Sequence, residues 1–384
     1  MKAILLAGGK GTRLRPLTLN TPKPIVPIFN RPFLRYQLDL LRQIPEIDEV
    51  ILSLNYQPGR IEDLLGDGRA LGVRLRYVVE PMPLGTAGAV KYAQQYLDDT
   101  VFVFNGDVLT QIDLSAVLRR HREREARATI VLTPVNNPSA YGVVEIDSDS
   151  NVRRFLEKPT PDQSSCKTIN AGIYVIEPDT LDRIPKDTKW SIERSFFPSL
   201  VERGERFVAY VSHGYWIDIG TPIKYQQVHR DIMDGRFQAA PFDDRAAAST
   251  VVATSAAIDD DVTLEGPCFI DEGVVIKAGS HIGPYTVLGR ECTIQEDVRL
   301  DGAIVWPYAQ IDRAARLHDA ILGRRCHVGR NASLGSGTIL GDKSIVTDYS
   351  RTHSCQPVVK AQRDTETAEA PTSQGGRRKN TGSI

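Results

Sequence analysis

The sequence has few cysteines, no excess of either charge and no long apolar run. Its five cysteines, Cys166, Cys268, Cys292, Cys326 and Cys355, are odd in number and lack the spacing of metal ligands. We therefore expect neither disulfides nor a structural zinc site, and free thiols are typical of a reducing compartment.

The sequence also lacks an excess of charge of either sign. Lysine and arginine number 47 against 48 aspartates and glutamates, so no net field attracts nucleic acid or an anionic membrane. No stretch approaches the ~18 apolar residues of a membrane span, and the apolar start MKAILLAGG is too short for a signal peptide. We therefore expect a cytoplasmic protein without nucleic-acid or membrane partners. Its 384 residues, 41% of them apolar, are enough for two domains.

Residues 1–235 alternate short apolar runs with stretches of helical period. The runs KAILLA, EVILSL, LRYVV and VFVFN are almost wholly apolar, as in strands that are buried on both faces. Between them, Leu34, Leu38 and Leu41 recur at the spacing of a helix face. This alternation predicts an α/β domain with a mostly parallel, Rossmann-like sheet.

Residues 236–252 are rich in alanine, serine, aspartate and threonine, which predicts a linker. From 253 to 348 an aliphatic residue recurs about every six positions, a period that fits neither a single helix nor alternating hairpins. The pattern resembles the hexapeptide repeat of left-handed parallel β-helices, in which the aliphatic residue points inward. Residues 349–384 offer little to bury and are predicted to be a disordered tail. The aliphatic positions are Ile258, Leu264, Ile270, Ile276, Ile282, Leu288, Ile294, Leu300, Val305, Ile311, Leu317, Leu322, Val328, Leu334, Leu340 and Val346.

The segment LLAGGKGTRLRPLTLNTPKP, residues 5–24, places Gly8, Gly9 and Gly11 directly after the first predicted strand. Without Cβ atoms, the backbone N–H groups can approach an anion, and a helix after the loop would add its positive end. Phosphate is the expected ligand. The loop is neither a dinucleotide fingerprint, which would need glycine in place of Leu14, nor a Walker A motif.

Five motifs, taken in order, make the loop more specific. They resemble the motifs of the sugar-phosphate nucleotidyltransferases. The five are LLAGGKGTRLRPLT with the PKP that follows it, FNGD at 104–107, FLEKP at 155–159, NAGIY at 170–174 and WIDIGTP at 216–222. Within that family they look most like the mannose-1-phosphate guanylyltransferase branch, in which a hexapeptide domain is frequent. The resemblance implies that a sugar 1-phosphate attacks the α-phosphorus of a nucleoside triphosphate, giving a nucleotide sugar and pyrophosphate.

The resemblance also implies a catalytic set of four residues. Arg13 and Lys23 would neutralise charge on the departing pyrophosphate, since two polyanions must meet in the site. Asp107 and Asp218 would hold Mg²⁺, because carboxylates and phosphate oxygens form the hard oxygen shell that this ion prefers.

The substrate-binding residues are carried over in the same way. The acceptor would be bound through Gly142, Glu157, Lys158 and Asn170. The nucleotide would be bound by Leu6, Ala7, Gly8, Gly9, Gly11, Thr12, Arg13, Lys23, Glu80, Gly85 and Thr86.

Glu80, in VVEPMPLGTAGAV, gives an expectation about the base. A carboxylate only accepts hydrogen bonds, and guanine presents two neighbouring N–H donors, whereas uracil and thymine present one N–H between two acceptors. We therefore expect GTP to be preferred over UTP and dTTP.

Three alternatives stay open. The enzyme could be a thymidylyl- or uridylyltransferase acting on glucose 1-phosphate. It could be a non-catalytic regulatory subunit, although all four expected catalytic residues are present. It could be an acyltransferase that uses His281, His318 or His327 of the repeat, but each is isolated at a non-inward position. The β-helix is expected to serve assembly or regulation, and the protein to be a homo-oligomer.

Overall fold

The computed structural model describes residues 1–157, 166–243 and 249–352, without the side chain of Glu157. Lys158 and, from residue 353 on, the predicted tail therefore lie outside the described residues. Within the described ranges, every helix is too short or too polar to cross a membrane.

The N-terminal part of the chain alternates strands and helices, as predicted. The helices are α1 (Phe33–Leu41), α2 (Pro58–Leu65), α3 (Gly85–Ala93), α4 (Leu114–Glu123), α5 (Phe197–Glu202) and α6 (Pro222–Met233). The strands are β1 (Lys2–Leu6), β2 (Pro27–Ile28), β3 (Arg31–Pro32), β4 (Glu49–Leu54), β5 (Arg74–Val79), β6 (Val101–Asn105), β7 (Val108–Thr110), β8 (Ala128–Pro134), β9 (Gly142–Ile146), β10 (Val152–Glu157), β11 (Thr168–Ile176), β12 (Phe207–Val211) and β13 (Trp216–Asp218).

The main sheet runs in the order β10-β9-β11-β6-β1-β4-β5, with β8 on β11 and β12 on β8. The neighbours β6, β1, β4 and β5 are parallel, and β6, β1 and β4 are almost wholly buried, which confirms the parallel core expected from their apolar runs. The expectation of burial on both faces is wrong for LRYVV, because β5 lies at the edge of the sheet and its residues Arg74, Arg76 and Val79 are exposed. The sheet as a whole is mixed, because β11 pairs antiparallel with β6 and β8 and β9 with β10. Only five residues, 147–151, join β9 to β10, and so short a connection favours antiparallel neighbours.

The carboxyl ends of β1 and β6 lie side by side, since Leu6 pairs with Asn105. The loops that follow them are therefore neighbours, and the Gly106 N–H donates to the Leu6 carbonyl at 3.0 Å. Ligands of open α/β sheets gather at this edge. The fold thus brings the glycine loop and the FNGD motif together.

The C-terminal part is built from very short strands that stack into three parallel sheets of six, the arrangement of a left-handed β-helix. The strands are β14 (Val251–Val252), β15 (Ala257–Ile258), β16 (Thr263–Leu264), β17 (Phe269–Ile270), β18 (Val275–Ile276), β19 (His281–Ile282), β20 (Val287–Leu288), β21 (Thr293–Ile294), β22 (Arg299–Asp301), β23 (Ile304–Val305), β24 (Gln310–Ile311), β25 (Arg316–His318), β26 (Ile321–Leu322), β27 (His327–Val328), β28 (Ser333–Leu334), β29 (Ile339–Leu340), β30 (Ile345–Val346) and β31 (Arg351–Thr352).

The predicted inward residues form the core of this β-helix. From Ile270 to Leu334, each aliphatic repeat position is at most 2% exposed. Most stacked partners are 18 residues apart, as for Val251 and Phe269, but a run from the pair Val287 and Ile304 onward is 17 apart. The two five-residue steps of the sequence are absorbed at corners near Gly302 and Asp319, both at positive φ, so the coils stay in register.

One sheet of the β-helix packs on the N-terminal part. Its outward residues Val251, Phe269, Val287, Ile304 and Ile321 are buried in one cluster with residues of the glycine-loop segment and of α6. The predicted linker contributes to this cluster through Phe237, Ala239 and Phe242, and residues 244–248 lie outside the described ranges. The two parts of the chain therefore share a core.

Candidate active site

The glycine loop follows β1 and is fixed by close contacts at two of its three glycines. A Cβ on Gly8 would lie 3.2 Å from the Asn55 backbone nitrogen. Gly11 has a φ of 60°, and a Cβ there would press against the side chains of Thr18 and Lys23. Around Gly9, no heavy atom of the described residues lies within 4 Å of a Cβ position, apart from Gly9 itself and its chain neighbours. Packing explains glycine at 8 and 11, whereas at 9 the backbone borders open space that a ligand can fill.

The helix expected after the loop is absent, and that part of the sequence interpretation is wrong. A single 3₁₀ turn, Thr12–Leu14, follows instead. Pro16 lacks the N–H needed to extend it, so the turn does not continue into a helix that would point its dipole at the loop. The anion site must rely on backbone N–H groups and side-chain cations.

A cavity of about 340 Å³ opens beside the loop. Nine of the expected site residues line it, and they come from four separate segments of the chain: Leu6, Ala7, Gly8, Gly9, Lys23, Glu80, Gly85, Thr86 and Asp107. The cavity also has lining residues that the sequence interpretation missed: Pro24, Asn55, Pro83, Ala89, Asn105 and Gly106. Asn105 and Gly106 belong to the FNGD motif, so the motif itself was a signal that could have found them.

Lys23 and Asp107 meet at the floor of this cavity. The Lys23 ammonium donates to the Asp107 carboxylate at 2.8 Å, and the lysine is 8% exposed while the aspartate side chain is 32% exposed. A buried ammonium needs such a counter-charge. The pair places one acid and one cation where phosphates would enter.

Asp218 lies next to Asp107 because β13 pairs with β7. Asp218 pairs with Val108, and the Ile219 N–H donates to the Asp107 carbonyl at 2.9 Å. The sequence separates the two aspartates by more than a hundred residues, and this small sheet joins them.

The Asp218 carboxylate is held by two donors that sequence reasoning missed. Lys224, in the first turn of α6, donates to it, and the Tyr141 hydroxyl donates to it at 3.0 Å. Lys224 also donates to the Tyr141 oxygen at 2.6 Å. Burial lowers the pKa of Lys224, but hydrogen bonds to Asp218 and Tyr141 raise it above its usual value, so the ammonium stays charged.

Two carboxylates from adjacent backbone segments would fit a divalent metal that takes its other ligands from phosphate and water oxygens. Each of the two carboxylates pairs with a lysine, so a positive charge can be accommodated beside both acids. Within the described ranges, no cluster of three or more His, Cys, Asp or Glu residues could hold a metal by itself. The donor set therefore suits a substrate-bridged ion rather than a closed structural site.

Three expected nucleotide residues do not line the cavity. Gly11 caps the 3₁₀ turn Thr12–Leu14, and Thr12 and Arg13 are exposed within it. The Arg13 guanidinium packs on Gly220, where a Cβ would approach it to 2.7 Å. Since Gly220 comes two residues after Asp218, Arg13 lies on the Asp218 side of the site.

The segment around Glu80 is tightly tied to the protein. Glu80 is 7% exposed, and its two carboxylate oxygens accept hydrogen bonds from the Ser53 hydroxyl and the Leu84 N–H, both at 2.9 Å. Gly85 is at φ 72°, with the Trp190 carbonyl 2.7 Å from a Cβ position. Glu80 therefore shapes the loop as well as the cavity wall.

Thr86 is likewise engaged within the protein. Its hydroxyl donates to Glu193 at 3.1 Å and accepts from the Ile192 N–H at 2.8 Å. The Trp190 carbonyl accepts the Ala87 N–H at the start of α3. These contacts hold the helix against the segment around residue 190.

The expected acceptor residues converge on neighbouring strands. Gly142 pairs with Glu157, and Ile169, next to Asn170, pairs with Val143. The Asn170 side chain accepts from the Gly172 N–H and donates to the Tyr174 hydroxyl. Strand pairing thus brings Gly142, Glu157 and Asn170 into one patch. Because Tyr141 directly precedes Gly142 and donates to Asp218, this patch lies near the Asp218 end of the site.

The histidines of the β-helix do not form such a site. His281, His318 and His327 each lie on the outside beside a carboxylate, at distances of 3.6, 3.2 and 2.8 Å. His281 and His318 lie on one sheet two coils apart, and His327 lies on another sheet, so they form no common site and the acyltransferase alternative has no structural support.

The fold and this site define a nucleotidyltransferase. A family model described as nucleotidyl transferase matches residues 2–235, and one described as GMPPB C-terminal domain matches residues 264–362. Since the first covers more than half of the chain, the protein belongs to the nucleotidyl transferase family.

Relatives along most of the chain agree. A mannose-1-phosphate guanylyltransferase of Mycobacterium tuberculosis is 38% identical over 315 residues, 81% of each chain. A UTP–glucose-1-phosphate uridylyltransferase of Synechocystis is 33% identical, covering 85% of this chain and 88% of that one. The solved structure of HddC from Yersinia pseudotuberculosis is 31% identical with a TM-score of 0.51, over 59% of this chain and 96% of that one. The family resemblance inferred from the motifs is confirmed, and the protein is an enzyme.

Proposed function

We propose that the enzyme transfers the guanylyl group of GTP to mannose 1-phosphate, forming GDP-mannose and releasing pyrophosphate. The observation that carries this proposal is the joining of the Lys23–Asp107 pair, the open backbone at Gly9 and Asp218 in one site. The relatives named for that activity support the choice of substrates.

In this proposal the cavity binds the nucleotide. The backbone from Gly8 to Thr12 cradles the triphosphate through its N–H groups, and Lys23 neutralises charge as pyrophosphate leaves. Arg13, on the opposite side of the loop, meets the same developing charge from the Asp218 end. Positioning and charge neutralisation do most of the work in such a transfer.

Asp107 and Asp218 would hold Mg²⁺. When bound, the ion would withdraw charge from the phosphate oxygens and keep donor and acceptor phosphates in line. The two acids would hold the ion together, since the β7–β13 pairing and the hydrogen bond from the Ile219 N–H to the Asp107 carbonyl place their backbones side by side.

The acceptor would lie on the patch formed by Gly142, Glu157 and Asn170, with Lys158 directly following. Strand register supports this position, because Gly142 and Glu157 are partners. The close approach of the sugar to the backbone at Gly142 is part of the proposal.

Glu80 would favour guanine. Each of its oxygens accepts one hydrogen bond inside the protein, and a carboxylate oxygen can accept more than one, so Glu80, which lines the cavity, can still accept from a ligand. A uridylyl or thymidylyl transfer to glucose 1-phosphate is the second candidate, and the uridylyltransferase relative favours it.

The wider architecture completes the proposal. Residues 1–235 would carry the chemistry. The strands of the β-helix extend one short strand beyond each end of the predicted range 253–348, to Val251–Val252 in the predicted linker 236–252 and to Arg351–Thr352 in the predicted tail. We further propose a homo-oligomer assembled through the β-helix. A cytoplasmic location would suit the free thiols of Cys166, Cys268, Cys292 and Cys326.

Pyrophosphate release tests the function directly. The enzyme is incubated with Mg²⁺, each of GTP, UTP, dTTP and ATP, and either mannose 1-phosphate or glucose 1-phosphate. We expect GTP with mannose 1-phosphate to be turned over fastest. Glu80→Gln should narrow the GTP advantage by roughly tenfold or more. A faster reaction of UTP or dTTP with glucose 1-phosphate would replace the proposal with the second candidate.

A further inference from the structure

Two lysine–aspartate pairs stand next to each other at the β7–β13 sheet. Lys23 donates to Asp107, and Lys224 donates to Asp218. The hydrogen bond from the Ile219 N–H to the Asp107 carbonyl places both pairs in one site. Roles have been proposed for three of these four side chains, and Lys224 is the fourth.

The two lysines lie on different sides of the site. Lys23 lines the nucleotide cavity. Lys224 is bonded to the Tyr141 hydroxyl, and Tyr141 directly precedes Gly142, where β9 begins and pairs with Glu157. Lys224 therefore faces the patch proposed for the acceptor sugar.

We propose that Lys224, oriented by Tyr141, binds the phosphate of the acceptor sugar 1-phosphate. This inference rests on the proposed function for the location of the acceptor. The Lys224 side chain is 32% exposed, so a phosphate can reach its ammonium, while Tyr141 packs edge-on against Trp216 and cannot easily turn away. An ammonium beside phosphate oxygens makes charge-assisted hydrogen bonds.

Charge explains why the lysine would change partners. Without substrates, Asp218 is the nearest anion to Lys224. A cation held by Asp107 and Asp218 would repel both lysines from those carboxylates, and each would then meet the phosphate on its own side. Lys23 would meet the triphosphate, and Lys224 the sugar 1-phosphate.

The competing role is a purely positioning one, in which Lys224 only keeps Asp218 in place. The two roles differ in what removal of the ammonium does to metal binding. A positioning lysine is needed for a well-placed carboxylate, so its loss weakens metal binding. A phosphate-binding lysine competes with the metal for Asp218, so its loss leaves metal binding equal or tighter.

Lys224→Met keeps the aliphatic stem and removes the charge. We expect the KM for mannose 1-phosphate to rise by about tenfold to a hundredfold, as for one lost hydrogen bond between charged groups. The KM for GTP should change by less than about threefold, within the spread of a minor contact. Mn²⁺ affinity, measured by electron paramagnetic resonance without substrates, should be equal or higher. Lys224→Arg should restore most of the acceptor affinity.

Two further variants complete the test. Lys91→Met removes another lysine that pairs with an aspartate, Asp182 at 3.6 Å, outside the site, and should leave both KM values unchanged. If Lys224→Met does not fold, Tyr141→Phe tests the same role. This variant keeps the ring and removes the hydroxyl, so it should also weaken acceptor binding. An unchanged acceptor KM, or equal weakening of metal and both substrates, would overturn the inference.

Failure of this inference is distinct from failure of the proposed function. Pyrophosphate release by the unaltered enzyme tests the function, and mannose 1-phosphate and glucose 1-phosphate carry the same phosphate for Lys224 to bind. Titration calorimetry of the intact protein with each sugar phosphate gives a binding readout without turnover. Lys224→Met should weaken whichever one binds, and equal affinity in both proteins would refute the role of Lys224.

Discussion

The N-terminal α/β part and the C-terminal β-helix both rest on parallel strands, yet they use them differently. In the β-helix every strand meets a partner 17 or 18 residues away, in the same environment each time. In the α/β part, Lys23, Asp107 and Asp218 meet from three distant segments, and each environment occurs once. Repetition gives a stable, predictable scaffold, and long-range pairing gives a site.

The boundary between the two parts combines repeated strand stacking with long-range contacts. The outward positions of one β-helix sheet are apolar, and they pack on the segment that carries Lys23. Trp306 donates to the Tyr225 hydroxyl at 2.9 Å, and that hydroxyl donates to the Pro27 carbonyl. Tyr225 adjoins Lys224 in α6. The repeat thus supports the site from behind.

Loss of either carboxylate should have the largest effect, because the site has no duplicate. We expect Asp107→Asn and Asp218→Asn to lower kcat by roughly a thousandfold, since a metal held by the two acids would lose a charged ligand. Initial rates of pyrophosphate release measure this. The exposed Asp182→Asn is the matched control and should keep full activity. Near-normal rates in both site variants would remove the metal role of the pair.

The β-helix should respond in stability rather than in chemistry. Ile294 is fully buried, and its neighbour Thr293 points outward. Ile294→Ala should cost about 3 kcal/mol of unfolding free energy, and Thr293→Ala well under 1. Urea unfolding measures both. Equal costs at the two positions would contradict the inward–outward alternation.

This contrast also explains what the sequence could predict. A periodic pattern specifies an inward side chain at each repeat, so Ile270 to Leu334 were predicted one by one. Motifs predicted Lys23 and Asp107 as site residues but not their ion pair. Lys224 was missed because its partner Tyr141 is over eighty residues away, and no local pattern links them.

The shared core was missed for a different reason, although its signal is present. The outward residues of every third repeat, such as Phe269, Val287 and Ile304, are apolar, whereas those of another sheet include His281 and Arg299. That difference marks a covered face. The partner that covers it could not be inferred, since it depends on how α6 folds back.

The shared core should weaken in acid through His229. Burial among Phe29 and Tyr225 lowers the pKa of His229 to about 4. The unfolded histidine titrates near 6.5, so between these values the unfolded state binds more protons, and stability falls as the pH falls. From pH 7.5 to 5 the loss should be about 2 kcal/mol from this group.

Urea unfolding at the two pH values measures the effect. His229→Leu should flatten the pH dependence by that amount, while the exposed His213→Leu should leave it unchanged. The same pH dependence in the protein with and without His229 would show that other groups govern the acid response.

The smallest effect should come from the single hydrogen bond across the boundary. Trp306→Phe keeps an aromatic ring and removes the N–H that Tyr225 accepts, which should cost about 1 kcal/mol. Because the two parts share one core, thermal unfolding should remain a single transition at lower temperature. Turnover should fall only a few-fold, about what a loss of ~1 kcal/mol permits, since the Tyr225 hydroxyl still donates to Pro27 behind the Lys23 segment. Tyr308→Phe, on an exposed aromatic residue of the same coil, is the control and should change neither property. Two separate transitions in the Trp306 variant would mean that this one contact, rather than the apolar cluster, couples the β-helix to the site.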